Sequence, residues 1–385
     1  MANILTCEDR ILTTHAGALP RSAAALELIK AKAGENFDPR AYEAQVSAAV
    51  EACVRIQAES GIDIVADGEE KSGFALYVED RLAGLEPRPQ DEIEGFRPEQ
   101  AAFLEDFEQY LHTTIRNGAA VARMPVVCAG PIEYVGQEQL QRDLDNLKSA
   151  AAKVGCSDAF MPSIAPSGVG ANAYYPSDEE FLYASGEALR DEYNAIVDAG
   201  FMLQIDDPFL PAVFADRRRT PDQADRRARA YVDALNNSLR GIPPEKVRYH
   251  IRCSGLEAGP RQEVPFREVA RHMLRVNAAA YSFDAGRVRH EDDEDLWDMV
   301  RLPEGKVIMP GLVTHSGNHV EDPQDIADRL VRFASRVGRD HVLASVDHRV
   351  SPGPASHPEV SPTLLWSKFE ALRQGAELAS RKLWA

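Results

Sequence analysis

A chain of 385 residues, 44% hydrophobic and 27% charged, is long enough for one large α/β barrel or two ordinary domains and has the composition of a soluble globular protein. Its formal net charge of -18 repels a phosphate backbone on average, which excludes nucleic acid as an expected partner. No apolar run approaches the ~20 residues of a membrane helix, so no membrane partner is expected.

The opening "MANILTCEDR" lacks the basic-then-apolar pattern of a signal peptide. The cysteines Cys7, Cys53, Cys128, Cys156 and Cys253 are odd in number and form no CxxC pair. Both features predict a cytoplasmic protein without a disulfide framework or a four-cysteine zinc site.

Short β-like runs then alternate with helix-length segments. In chain order the runs are "ILTTHAG", "IDIVADGE", "PVVCAGP", "AFMPSIAPS", "FMLQIDDP", "VRYHIRC", "AAYSFDAG", "KVIMPGLV" and "HVLASVDH". Helices are expected over "YEAQVSAAVEACVRIQAESG" and "EEFLYASGEALRDEYNAIVDAG", each ending in a glycine stop. Such alternation predicts a parallel sheet with helices outside, closed as a (β/α)8 TIM barrel. Nine runs are one too many, so one is accessory. Residues 85–120, polar and acidic, break the rhythm and read as an insertion in a single domain spanning 1–385. The proline-rich stretch Ser351 to Pro362 reads as a loop able to act as a lid. The basic stretch from Arg217, "RRRTPDQADRRARAY", reads as a solvated helix face.

Glu69, Asp206, His250, Asp284, His315 and His348 each lie at or just after the C-terminal end of an apolar run. In barrel enzymes that rim carries the active site. On the strand "VRYHIRC", residues two apart face the same way, so His250 and Arg252 share a face and Cys253 points elsewhere. A β-bulge would turn Cys253 inward; without one it is a small buried thiol.

The ordered blocks "TTHAGALPR", "GIDIVADGE", "CAGP", "LQIDDP", "RYHIRC", "LPEGKVIMPGLV" and "VLASVDH" resemble the cobalamin-independent methionine synthase family. The likeness is to its C-terminal catalytic barrel and the stand-alone relatives of that barrel. It runs from about Ile11 to the last helix. The resemblance implies a TIM barrel of the methionine synthase and uroporphyrinogen decarboxylase type. It also implies a zinc ion that binds a thiol as thiolate for attack on an alkyl carbon. Carried over by position, the family's ligand histidine is His250 and its carboxylate falls on Asp284. Its two cysteines fall on Arg252 and His348. Glu69 and Asp206 match groups that hold the amino acid substrate, and His315, with Ser316 and Asn318 beside it, resembles a proton-handling histidine. The family's Gly-Ser pair near the substrate carboxylate is Gly17-Ala18.

Both thiolates are therefore missing. A guanidinium in place of a thiolate changes the local charge by two, and one like-charge contact near 4 Å costs roughly 4 kcal/mol at an effective dielectric of about 20. A different metal set stays open: His250, Asp284 and His348, two histidines and a carboxylate, suit zinc, iron or manganese. The expected catalytic groups are His250, His348, His315 and Asp206. Glu69, Arg252, Asp347, Asn318 and Tyr175 are expected to contact a small anionic substrate.

Three functions follow. One is a divergent methionine-synthase-like enzyme with alkyl or one-carbon transfer-like chemistry, not ordinary methionine synthesis. The second is a metal-independent lyase or hydrolase using histidines for acid–base work, for example retro-aldol loss of a one-carbon unit. The third is a ligand-binding pseudoenzyme. A homo-oligomer is left open.

Overall fold

The computed structural model describes residues 7–19, 38–70, 74–88, 126–156, 158–216, 219–252, 266–285, 296–314, 319–347 and 362–385. Cys253, His315, Asn318, His348, the stretch 351–361 and most of 85–120 lie outside the described residues.

Helix α1, Pro39–Glu59, starts where the Asp38 side chain accepts the amides of Arg40 and Ala41 and Pro39 occupies the first turn. Its buried stripe is Tyr42, Val46, Val50, Val54 and Gln57, one face at helical spacing. Helix α2, Phe74–Arg81, leads into strand β1, Leu82–Pro87. Strand β2, Val126–Tyr134, pairs antiparallel with β1. Helix α3 follows over Gln137–Val154. Next come β3, Phe160–Ile164, and β4, Ala171–Asn172, which pairs in parallel with β2. The run "PVVCAGP" is thus the accessory one: it belongs to a separate sheet ordered β1-β2-β4.

The main sheet is built by α/β alternation. Helix α4, Asp178–Asp198, precedes β5, Met202–Asp206. Helices α5, Phe209–Ala215, and α6, Pro221–Ser238, precede β6, Val247–His250. Helix α7, Phe266–Met273, precedes β7, Ala280–Asp284. The short α8, Leu296–Met299, precedes β8, Val307–Val313. Helix α9, Pro323–Val337, precedes β9, Ser345–Val346, and α10, Pro362–Leu383, ends the chain. The six strands run parallel in the order β3-β5-β6-β7-β8-β9. They are buried along both faces, which explains their near-continuous apolar sequences.

Successive residues alternate between the two faces. Leu203, Ile205, Tyr249, Tyr281 and Phe283 pack outward in the large core shared with the helices. Phe160, Met202, Ala280, Val307, Met309 and Leu343 form a second apolar cluster on the other, concave face, joined by Ile64 and Ala66. The sheet curls as a parallel-strand half-barrel, because Arg248 on β6 reaches the side chain of Thr14, which lies beyond β9.

"ILTTHAG" and "IDIVADGE" form single bridges in place of extended strands. Thr13 bridges in parallel to Ala344, and Val65 bridges to Ala159. The two segments join each other through the amide of Ile64 donating to Thr13 O at 3.1 Å. The Thr13 amide goes to the Asp63 carboxylate at 2.8 Å instead of a strand carbonyl, which cuts the ladder short there. Among the described residues no helix is long and apolar enough to cross a membrane.

Candidate active site

In a parallel sheet all C-terminal strand ends face one side. β5 ends at Asp206, β6 at His250 and β7 at Asp284. Asp347 follows β9, and its amide donates to Val313 O at 2.9 Å. Asp206 and His250 are direct neighbours in the β5–β6 register. These four side chains and Glu69 are all buried. Asp206, His250 and Asp284 thus end three neighbouring strands on one side of the sheet, with Asp347 just after β9, while Glu69 follows the segment that bridges to Ala159.

The doublet Asp206-Asp207 divides its work by alternation. Asp207 accepts the Tyr249 hydroxyl at 2.8 Å, Ser167 Oγ at 2.9 Å and the amides of Phe209 and Leu210, which sets the turn into α5. Asp206 turns to the concave side and accepts from Gln204 Nε2 at 2.7 Å. The His250 ring is oriented by Nδ1 lying 2.9 Å from Ser282 Oγ, which directs Nε2 away from that hydroxyl. Arg252, half-buried, follows on the same face.

Two backbone features hold the rim. Glu69 has φ 57°, left-handed for a residue with a side chain, next to Gly68 at φ 69°. Gly311 lets β8 approach β9, because a Cβ there would lie 2.0 Å from the Cα of Asp347. Above β8, Thr314 donates its amide and hydroxyl to Glu321, whose carboxylate is paired at 2.9 Å with the buried Lys368.

Sequence reasoning passed over the layer beneath the rim. Arg248 is fully buried. It donates from one terminal nitrogen to Thr14 Oγ1 at 2.9 Å and from the other to His15 O at 2.7 Å, with its guanidinium 3.9 Å from the Phe160 ring centre. Burial lowers its pKa to about 9, while Asp206 acts in the opposite sense. Gln204, its register neighbour on β5, donates to Ala16 O at 2.9 Å. His15 is held neutral, its pKa lowered to about 3 by burial and by Arg248. The Gly17 amide donates to His15 Nδ1, so the proton sits on Nε2, which donates to Gln57 Oε1 at 2.8 Å. The signal was present: Gln204–Asp206 and Arg248–His250 are polar pairs two apart inside otherwise apolar strands.

Tyr175 does not meet the rim through any of these contacts. Its hydroxyl accepts the Ile132 amide at 3.1 Å, and its ring packs on Tyr174 and Phe181.

The two-thiolate zinc centre implied by the sequence resemblance does not fit these residues. His250 and Asp284 are present, but a guanidinium stands two places after the histidine. Among the described residues no three His, Cys, Asp or Glu side chains are grouped to hold a metal. The alternative set with His348 extends outside the described residues.

The fold, an α/β architecture with a parallel-strand half-barrel, is shared with solved cobalamin-independent methionine synthases. The chain is similar to a B12-independent methionine synthase from Shewanella sp. W3-18-1, in complex with selenomethionine, with a TM-score of 0.69 and 18% identity over 97% of this chain and 99% of that one. It is also similar to the putative vitamin-B12-independent methionine synthase from Listeria monocytogenes, with a TM-score of 0.66 and 19% identity over 98% and 99%. An uncharacterised Bacillus subtilis (strain 168) protein, YxjH, is 22% identical over 347 residues, 86% of this chain and 85% of its own. No family model matches the chain. The resemblance read from the sequence thus holds in three dimensions, as a shared fold.

Proposed function

We propose that this chain is an enzyme of methyl- or alkyl-transfer type acting on a small, sulfur-bearing amino-acid-like substrate, by a route other than ordinary methionine synthesis. The observation that carries the reading is the row of buried Asp206, His250, Asp284 and Asp347 at the C-terminal ends of neighbouring strands, within a fold shared with methionine synthases. Buried carboxylates suit a substrate ammonium, and Arg252 suits its anionic end through a planar fork. The missing thiolate pair argues for a changed chemistry in the old site. In this reading the sheet and the two bridged segments close as an eight-stranded barrel, residues 85–120 are an insertion in one domain, and the enzyme works in the cytoplasm. It acts on a small molecule and not on nucleic acid or membrane; assembly into a homo-oligomer stays open.

The loss of both thiolates favours one second reading, a lyase in which His250 moves protons for a bond-breaking step. Isothermal calorimetry with L-methionine and L-homocysteine separates the two. The transfer reading expects binding of at least one, abolished by Asp206→Asn. His250→Ala should lower turnover by roughly 10²-fold or more in either reading. Wild-type protein that binds no sulfur-bearing amino acid defeats the transfer reading. Zinc content of the native protein, measured after denaturation, tests the His250, Asp284 and His348 set. Stoichiometric zinc lost in His250→Ala would establish that metal centre.

A further inference from the structure

The basic stretch from Arg217, expected as a solvated helix face, does not all face solvent. Arg226 is exposed, while Arg219 and Arg227 are half-buried, their side chains 19% and 16% exposed. All three line a cavity of about 490 Å³ between α4 and α6. That volume lies within the roughly 300–1,000 Å³ of small-molecule sites. α4 supplies Glu179 and Leu182, and Asp216 comes from the connection after α5. Both helices lead back toward the start of the next strand, so their first turns lie on the side where the strands end. One short helix, α5, separates the cavity wall at Asp216 from Asp206 at the end of β5.

The wall holds its donors in place. Arg227 donates to Asp178 at 2.9 Å, and its guanidinium lies 5.1 Å from the Tyr231 ring centre. Arg219 Nε lies 3.4 Å from the carboxylate of the buried Asp216. Each acid offsets and orients one guanidinium. The capping box of α6 fixes Gln223, which also lines the cavity. Its Oε1 accepts the Thr220 amide at 2.8 Å, so its side-chain nitrogen points away from that contact. Among the described residues Arg226 makes no ion pair, and neither does the exposed Glu179 across the cavity. The first turn of α4 and the first turns of α6 face this space, and their backbone dipoles add positive potential to that of Arg226. The balance therefore favours an anionic group, with one carboxylate left to accept a hydrogen bond.

We infer that this cavity binds a small polar molecule through an oxyanion, a phosphate or a carboxylate, held by Arg226 and Arg227, while a hydroxyl of the same molecule donates to Glu179. The planar fork of a guanidinium matches either oxyanion. Arg227 and Arg219 are already ordered by Asp178 and Asp216, so part of the entropy cost of binding is met in the folded chain. The site lies outside the main sheet, apart from the residues at the strand ends, and does not rest on reading those as a substrate site.

The test is a ligand-observed NMR titration of the full chain at constant ionic strength, with glycerol 3-phosphate, glycerate and glycerol as matched probes. Wild type is expected to bind at least one of the two anions saturably, and more tightly than glycerol. A preference for glycerol 3-phosphate assigns a phosphate, and a preference for glycerate assigns a carboxylate. Arg227→Met should weaken the bound anion roughly tenfold, as loss of a charged hydrogen bond does. Arg226→Met should weaken it about threefold, because that guanidinium is exposed. Arg229→Met, which removes an exposed arginine paired with Asp225 and outside the cavity wall, should bind as wild type does. So should His250→Ala, whose change is confined to the end of β6. Circular dichroism checks the folding of each variant. Should Arg227→Met not fold, Arg226→Met and the charge reversal Arg226→Glu carry the comparison. Absence of saturable anion binding in wild type overturns the proposal. Equal binding in wild type and a folded Arg226→Met, glycerol bound as tightly as the anions, or loss of binding in His250→Ala overturns it as well.

Discussion

Glu69, proposed here as a binding carboxylate, is poorly fitted for its backbone. At φ 57° it occupies a conformation that costs a side-chain-bearing residue roughly 1–2 kcal/mol. The chain reaches it directly from Gly68, whose own φ is 69°, and Leu19 donates its amide to Gly68 O at 3.1 Å to hold the turn. The proposed binding role would account for strain kept at this position. Glu69→Gly removes the strain and adds unfolded-chain entropy, two effects of similar size and opposite sign. Unfolding in urea should therefore show stability unchanged or raised by up to about 1 kcal/mol, while binding of an ammonium-bearing ligand is lost. A variant destabilised by more than about 2 kcal/mol would mean that Glu69 serves the fold, and its assignment to the site would be withdrawn. The sequence placed this residue at the end of "VADGE" and, through the resemblance, among the groups that hold the substrate. The run marks a turn, and nothing in it reveals that the glutamate shares the left-handed region with its glycine.

At the scale of elements, the accessory sheet is joined to the main one by a buried charge network. Arg81, at the end of α2, donates to Glu192 Oε2 at 2.9 Å and to the Asp143 carboxylate of α3. Glu192 on α4 also accepts the Tyr134 hydroxyl of β2 at 2.8 Å and Ser163 Oγ of β3 at 2.6 Å. Removing one partner of such a set leaves uncompensated buried charge, so Arg81→Met should cost about 3–5 kcal/mol in chemical unfolding. A loss under about 1 kcal/mol would show that solvent reaches these carboxylates. Element identity was legible here: the runs of the main sheet, and helices over 39–59 and 178–198, follow from periodicity, caps and glycine stops. Partnership was not. "PVVCAGP" has the same apolar pattern as a parallel strand, and only β1, hidden in a stretch that reads as an insertion, makes it half of an antiparallel pair. Arg248 left a signal, a polar pair with His250, but its place was hidden for a related reason. A charged residue at the start of a strand reads as surface until the curl of the sheet carries it inward.

For the whole molecule, the weak place is the junction of the first two segments with β3 and β9. It depends on single bridges, and one of the side chains that tie it is a neutral histidine. His15 links the first segment to Gln57 of α1, and Gln57 in turn accepts the Ala66 amide at 3.0 Å and donates to Ala66 O at 2.8 Å. A protonated His15 would place a second buried cation beside Arg248 and turn a donor toward the Gly17 amide. Its folded pKa, about 3, lies below the ordinary 6.5, so on acidification the unfolded chain takes up the proton first. The stability contribution is therefore fully present above about pH 6.5 and falls as pH drops toward 3. His272, also lowered by burial, acts in the same direction. One such group removes roughly 1.4 kcal/mol per pH unit, so between pH 6.5 and about 5 the loss from His15 alone is about 2 kcal/mol. Denaturant unfolding across that range measures it. Hydrogen exchange locates it: the amides of Thr14 and Ala344, which pair the first segment with β9, should lose protection before those of β5 and β6. A stability that stays flat from neutral pH to about 5, with those two amides as protected as the central strands, would show that the junction is not held by a neutral His15.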